Sequence, residues 1–204
     1  MTRIKICGNT RLQDVELALG LGVDLLGFIF TRSKRQISVM EGTALVAEIP
    51  DSVERVGVFI DEPTAAIAEA VERCRLTAVQ IYRPITAEDR KLGIALLPAL
   101  RMRPGLGPVD HGALPSDRIV LDTWTEENEG GGSGRTWDWA DAEPLARQHR
   151  VIVSGGLNPE NVEKAVTTLR PWGVDVCGGV EVAPREKDPA KLRAFVAAVR
   201  EADR

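Results

Sequence analysis

Short apolar runs recur along the chain, with amphipathic segments between them. Eight runs read as strands: Ile4–Cys7, Leu25–Phe30, Val56–Ile60, Ala78–Ile81, Ala95–Leu100, Ile119–Leu121, Val151–Val153 and Val174–Cys177. They are continuous rather than alternating, which fits strands covered on both faces, as in a parallel sheet. The segments between them read as helices. Arg11–Leu21 gathers Val15, Leu17, Ala18 and Leu21 near one face, and Gly22 ends it. Pro63-Thr64 introduces Ala65–Cys74, with Ile67, Ala70, Val71 and Cys74 on one stripe. Asn158-Pro159 predicts an N-cap followed by a first-turn proline, opening a helix that runs to about Leu169. Asp188-Pro189 does the same for a last helix carrying Leu192, Phe195, Val196 and Val199. Pro104–Ser116, rich in Gly and Pro, predicts loop where a fifth helix would fall.

Strands alternating with helices fit either an open doubly wound sheet or a closed barrel. An open sheet would normally carry its glycine loop after the first strand, where only Gly8 stands. The glycines gather instead after the last three strands, at Gly130–Gly134, Gly155-Gly156 and Gly178-Gly179. A phosphate site in the loops after strands seven and eight is a recurrent feature of β/α barrels. The expected fold is therefore a single (β/α)8 TIM barrel of near-minimal size, one domain spanning residues 1–204.

Composition narrows the function. Aromatic residues make up only 4%, so the core is aliphatic. A net charge of -4 argues against a nucleic-acid partner. Cys7, Cys74 and Cys177 lie far apart and far from His111 and His149, a pattern that suits neither a disulfide framework nor a metal site. The N-terminal residues lack the apolar core of a signal peptide, and no run approaches the ~20 apolar residues that span a bilayer. The cytoplasm is the expected compartment, with no membrane partner, no cofactor and a monomer as the favoured assembly.

Barrel active sites sit at the C-terminal ends of the strands. That rule selects Cys7, Arg35, Gln80, Arg101, Asp122 and the three glycine loops. Cys7 and Asp122, at the ends of strands one and six, should face one cavity, and Cys7 before Gly8 need not be buried. Cys74 reads instead as a small hydrophobe on a helix stripe. Gly155, Gly156, Gly178 and Gly179 would let backbone N–H groups approach a phosphate, although paired glycines also make plain tight turns. Glu126–Gly134 reads as a mobile loop over the substrate, with a flexible linker as the alternative.

These residues carry a nearly end-to-end resemblance to the phosphoribosylanthranilate isomerases. It runs through Lys5-Ile-Cys-Gly-Asn-Thr10, Leu26-Gly-Phe-Ile-Phe30, Ser33-Lys-Arg-Gln-Ile-Ser38, Val56-Gly-Val-Phe59, Ala78-Val-Gln80 and Leu121-Asp122. It continues in Gly131-Gly-Ser-Gly134, Ser154-Gly-Gly-Leu-Asn-Pro-Glu-Asn-Val162, Gly173-Val-Asp-Val176, Gly179-Val-Glu181 and Lys187-Asp188. The resemblance implies an Amadori rearrangement of a phosphorylated small molecule in tryptophan biosynthesis. It implies Cys7 as the base at ribose C2 and Asp122 as the acid at the ring oxygen. It also implies Arg35 as a guanidinium fork for the anthranilate carboxylate, and Gly132, Gly134, Gly155, Gly156, Gly178 and Gly179 as the phosphate grip. The chain departs from the family after Gln80, where Leu-His-Gly is usual and Ile81-Tyr82-Arg83-Pro84 stands. It departs again at Cys177-Gly178-Gly179, where Ser-Ser-Gly is usual, and at residues 183–186, which lack the usual glycine. Two other readings stay open on these departures: the same chemistry on a different N-glycosyl or sugar-phosphate substrate, and a non-catalytic paralogue that binds a phosphorylated sugar.

Overall fold

A computed structural model describes residues 1–103, 107–108, 114, 116–123 and 136–204 of the chain. Eight strands form one parallel sheet: β1 (Arg3–Ile6), β2 (Leu25–Ile29), β3 (Glu54–Phe59), β4 (Ala78–Ile81), β5 (Ala95–Arg103), β6 (Arg118–Thr123), β7 (Arg150–Val153) and β8 (Gly173–Val176). Each pairs with the next, and β8 returns to β1 with Arg3 opposite Gly173 and Ile6 opposite Val176. The sheet is thus a closed barrel, and the open-sheet alternative falls away. Gly107–Pro108 adds a short antiparallel piece against the end of β5.

Six α-helices are described: α1 (Leu12–Gly20), α2 (Val39–Val46), α3 (Thr64–Arg73), α4 (Glu143–Ala146), α5 (Val162–Leu169) and α6 (Pro189–Ala202). Local chemistry sets their starts. Ser38 Oγ accepts from the Glu41 amide while the Glu41 carboxylate accepts from the Ser38 amide, a reciprocal box that opens α2. Asp188 caps α6 by accepting from the amides of Ala190 and Lys191, with Pro189 in the first turn. Asn158 does not cap α5 as its sequence suggests. Its side chain accepts from the amides of Glu160 and Asn161, holding a separate turn, and α5 begins only at Val162.

The connection from β4 to β5 contains a 3₁₀ turn, Asp89–Leu92, in place of a helix. Asp89 is wholly buried and organises this strap. It accepts from Arg83 at 2.6 and 2.8 Å, from Thr64 Oγ1 at 2.7 Å and from the Thr86 amide at 2.7 Å. Arg83, one of the departures after Gln80, is thereby tied to the outside of the barrel. The segment 104–116, expected as loop, lies largely outside the described residues.

The strand interiors alternate between two cores. Ile4, Ile6, Leu26 and Phe28 belong to the large core shared with the helices. Leu25, Val56, Ala78, Leu97, Ala99, Val120 and Ile152 form a separate cluster that fills the barrel itself. This apolar plug fills the middle of the barrel, below the polar groups at the C-terminal ends of the strands. Among the described residues, no helix is long and apolar enough to cross a membrane.

Candidate active site at the barrel mouth

Above the plug sits a buried ion pair. Lys5 Nζ on β1 donates to Asp175 Oδ2 on the neighbouring β8 at 2.8 Å, with the two side chains 0% and 4% exposed. Ser154 Oγ donates to the same carboxylate oxygen at 3.3 Å. Burial alone would lower the Lys5 pKa, yet the Asp175 and Cys7 side chains beside it hold it above its ordinary value. Gly27 makes room for this arrangement: a Cβ there would stand 2.8 Å from Cys7 Sγ and 3.1 Å from Lys5 Nζ.

Cys7 follows β1 and lines a cavity of about 350 Å³ that opens at the mouth. It lies in the cavity wall and is only 6% exposed, which settles the burial that its place before Gly8 left open. The Cys7 amide donates to Val176 O at 2.9 Å, which carries the β1–β8 register one step further and sets Cys177 beside Cys7. The hydrogen bond that Cys7 donates to Cys177, and then burial, push Cys7 well up, against the pull of Lys5. The same bond, with Lys187 and Arg35 nearby, brings Cys177 down to about 7 against the opposing effect of desolvation. Lys187 Nζ donates to Cys7 O at 2.6 Å, Cys177 O at 3.1 Å and Glu181 Oε1 at 3.1 Å, so one ammonium ties both thiol-bearing segments together.

Arg35 also lines the cavity, but its fork is already engaged. Nε lies 2.8 and 3.0 Å from the Glu181 oxygens, and Nη2 lies 2.6 Å from Oε2. Glu181 thus holds the Nε–Nη2 edge of the fork that is expected to meet a ligand carboxylate. Burial would raise the Glu181 pKa, but Arg35 and Lys187 hold it below the ordinary value.

Asp122 stands across the mouth near the end of β6, 3% exposed and on the same cavity as Cys7. Oδ2 accepts from Tyr82 Oη at 2.6 Å and Oδ1 accepts from the Thr123 amide at 2.8 Å. Burial raises its pKa over the lowering effect of these two bonds. Gln80 lines the cavity and donates from Nε2 to Tyr82 Oη at 3.1 Å. Arg101 is placed differently from the expectation. It is not among the cavity-lining residues, because its guanidinium lies over the Tyr82 ring, 5.2 Å from the centroid.

Gly155, Gly156, Gly178 and Gly179 all line the cavity. Gly155 has φ +88°, and a Cβ there would fall 2.1 Å from Thr123 Oγ1 and 2.9 Å from Asp122 Oδ1. A side chain at this position would thus displace the carboxyl itself. Gly132 and Gly134 lie outside the described residues. Buried acceptors without a hydrogen bond from the described protein groups remain at Asp175 Oδ1 and Gln80 Oε1, both on cavity-lining residues. A ligand rich in hydroxyl groups would satisfy them.

Sequence reasoning left Lys5, Asp175, Glu181 and Lys187 without roles. The available signal was a charge inside an otherwise apolar strand, at Lys5 and at Asp175, because a buried charge requires a partner. In the sequence Tyr82 stands out only as a departure from the family. Its contact with Asp122 spans 40 positions and leaves no trace in local sequence.

The closed barrel, with a thiol and a pKa-raised carboxyl on one cavity, defines a β/α-barrel enzyme of the acid–base kind. Residues 4–198 match the family model described as N-(5'phosphoribosyl)anthranilate (PRA) isomerase, and the chain belongs to that family. It is 35% identical over 202 residues to the N-(5'-phosphoribosyl)anthranilate isomerase of Caldanaerobacter subterraneus subsp. tengcongensis, covering 98% of each chain. Its structure resembles a monomeric form generated from the dimeric phosphoribosylanthranilate isomerase of Thermotoga maritima, with TM-score 0.80, 32% identity and coverage of 98% and 100%. It equally resembles a phosphoribosyl anthranilate isomerase in complex with reduced 1-(o-carboxyphenylamino)-1-deoxyribulose 5-phosphate, with TM-score 0.81, 32% identity and coverage of 98% and 100%.

Proposed function

We propose that this chain isomerises N-(5-phosphoribosyl)anthranilate to 1-(2-carboxyphenylamino)-1-deoxyribulose 5-phosphate, with Asp122 as general acid and Cys7 as general base. Protonation of the ring oxygen by Asp122 breaks the C1–O bond, and the nitrogen lone pair forms a C1=N iminium. Cys7 then removes the C2 proton, and the released electron pair becomes a C1=C2 bond that neutralises the iminium. Loss of the O2 proton and protonation of C1 complete the ketone, with no net change in atoms. The observation that carries this reading is the convergence of Asp122 and Cys7 on one cavity. A general acid must hold a proton before it gives it up, and burial raises the Asp122 pKa in that direction. The Gly155-Gly156 and Gly178-Gly179 turns are assigned the phosphate, and Arg35 Nη1 the anthranilate carboxylate. Asp175 Oδ1 and Gln80 Oε1 are assigned sugar hydroxyls.

Expression of the chain in a tryptophan auxotroph lacking this isomerase should restore growth without tryptophan. Failure to do so with soluble protein present would overturn the reading. The setting we assign is the cytoplasm, with residues 1–204 as one domain acting as a monomer. Among the described residues, the exposed large apolar side chains are Met1, Leu12, Met40 and Val182, which form no continuous stretch of sequence. A sedimentation mass of one chain is expected, and twice that mass would refute the monomer.

The paired thiols carry a pH prediction. A base works only when deprotonated, so activity rises with pH through the pKa of Cys7. Cys177 raises that pKa through its hydrogen bond. Cys177→Ser, which installs the residue usual in the family, should therefore shift the acidic limb of kcat/KM to lower pH. An unmoved limb would show that the pair does not govern the base.

A further inference from the structure

We propose that Tyr82 is the positioning residue of the acid: its phenol holds Asp122 through Oδ2 and stabilises the carboxylate left when the proton is given up. This rests on the reading of Asp122 as general acid. The Thr123 amide can only donate, and it occupies Oδ1 at 2.8 Å. Oδ1 also faces Gly155 at a distance that excludes even a methyl group. Oδ2 is therefore the oxygen that exchanges a proton with a ligand, and the side chain on it is Tyr82, at 2.6 Å. The phenol is itself fixed. Gln80 Nε2 donates to Tyr82 Oη at 3.1 Å, which directs the phenolic hydrogen toward Asp122. Arg101 stacks on the ring face, 5.2 Å from the centroid.

The chain of Gln80, Tyr82 and Asp122 runs along the cavity wall, so this bond is present where the proton transfer takes place. A hydrogen bond to an ionised group strengthens as charge develops. The Tyr82 bond thus helps most when Asp122 has lost its proton, which favours the transfer over the resting state. The same bond lowers the Asp122 pKa, opposing burial. The other charges acting on Asp122 are Asp175 on β8, which raises its pKa, and Lys5 on β1, which lowers it; both are unchanged by substitution at position 82. Tyr82 stands where histidine is usual in the family. A ring nitrogen bearing hydrogen can donate from the same side, so the chain keeps the donor while changing the group that carries it.

The test compares Tyr82→Phe, Tyr82→His and Asp122→Asn in the full chain, reading kcat, KM and the pH profile. Tyr82→Phe keeps the ring beneath Arg101 and removes only the donor. It should lower kcat about tenfold with KM nearly unchanged, the scale of one charge-assisted hydrogen bond. Its alkaline limb, which reports deprotonation of the acid, should move to higher pH because the group holding the Asp122 pKa down is gone. Tyr82→His should recover most of kcat. If Asp122→Asn is inactive while Tyr82→Phe keeps wild-type kcat and an unmoved limb, the positioning role is overturned and the acid stands. A loss in Tyr82→Phe that falls wholly on KM also overturns it. If Asp122→Asn remains active, the reading of the acid fails, and the role of Tyr82 fails with it.

Discussion

Asp122→Asn should reduce kcat by about three orders of magnitude and leave KM within a few-fold of its original value. General acid catalysis contributes roughly 10²–10⁴ in rate, and the amide cannot supply a proton to the ring oxygen. The substitution keeps the shape of the side chain, so the binding surfaces at Gly155-Gly156 and Gly178-Gly179 stay in place. Cys7→Ser should be as severe for the opposite reason. A serine hydroxyl in this buried position is far too weakly acidic to ionise near neutral pH, although it fits the space that Gly27 leaves for the thiol. Steady-state kinetics separate these losses from binding defects, because a group that acts only in the transition state lowers kcat and kcat/KM together. Two variants with intact substrate binding and near-wild-type turnover would remove both residues from the mechanism.

The largest effect on stability is expected at Lys5. Lys5→Met leaves the Asp175 carboxylate, 4% exposed, without its ammonium partner. Breaking a buried pair by removing one member typically costs about 3–5 kcal/mol, because the remaining charge keeps its desolvation penalty. For a chain of this size that corresponds to a fall in Tm of roughly 10 °C. Thermal unfolding of Lys5→Met, Asp175→Asn and the double variant measures the coupling. The double variant should be more stable than the sum of the single losses predicts, since it leaves no isolated charge. Simple additivity would mean that the two charges do not rely on one another.

The strands were legible because buried parallel strands write themselves as continuous aliphatic runs. All eight expected runs fall within the observed strands to within a few residues, and Ala78–Ile81 coincides with β4. Helix starts were legible where one residue decides them, as at Asp188. They failed where a turn intervened: Asn158-Pro159 has the composition of a helix start, but the Asn158 side chain closes a local turn three residues early. The helix α2 is not among the expected helices, although the Ser38–Glu41 box that opens it is a local signal.

The site divides along the same line. Strand-end placement anticipated that Cys7 and Asp122 would face one cavity, because position along a strand is a local property. It misplaced Arg101, which lies near the end of β5 yet turns its guanidinium onto Tyr82. It also gave Arg35 a fork that Glu181, 146 positions away, already holds. Such partners are set by barrel closure, which brings β8 against β1 and carries Glu181, Lys187 and Cys177 to the side of Cys7. No reading of neighbouring residues reports that juxtaposition.

The most direct measurement is turnover of N-(5-phosphoribosyl)anthranilate by the purified chain in D₂O, following anthranilate fluorescence and then deuterium in the product. The reading predicts a fluorescence change proportional to protein concentration, abolished in Asp122→Asn, and a ketose product carrying solvent deuterium at C1. A trace indistinguishable from the protein-free control would contradict it.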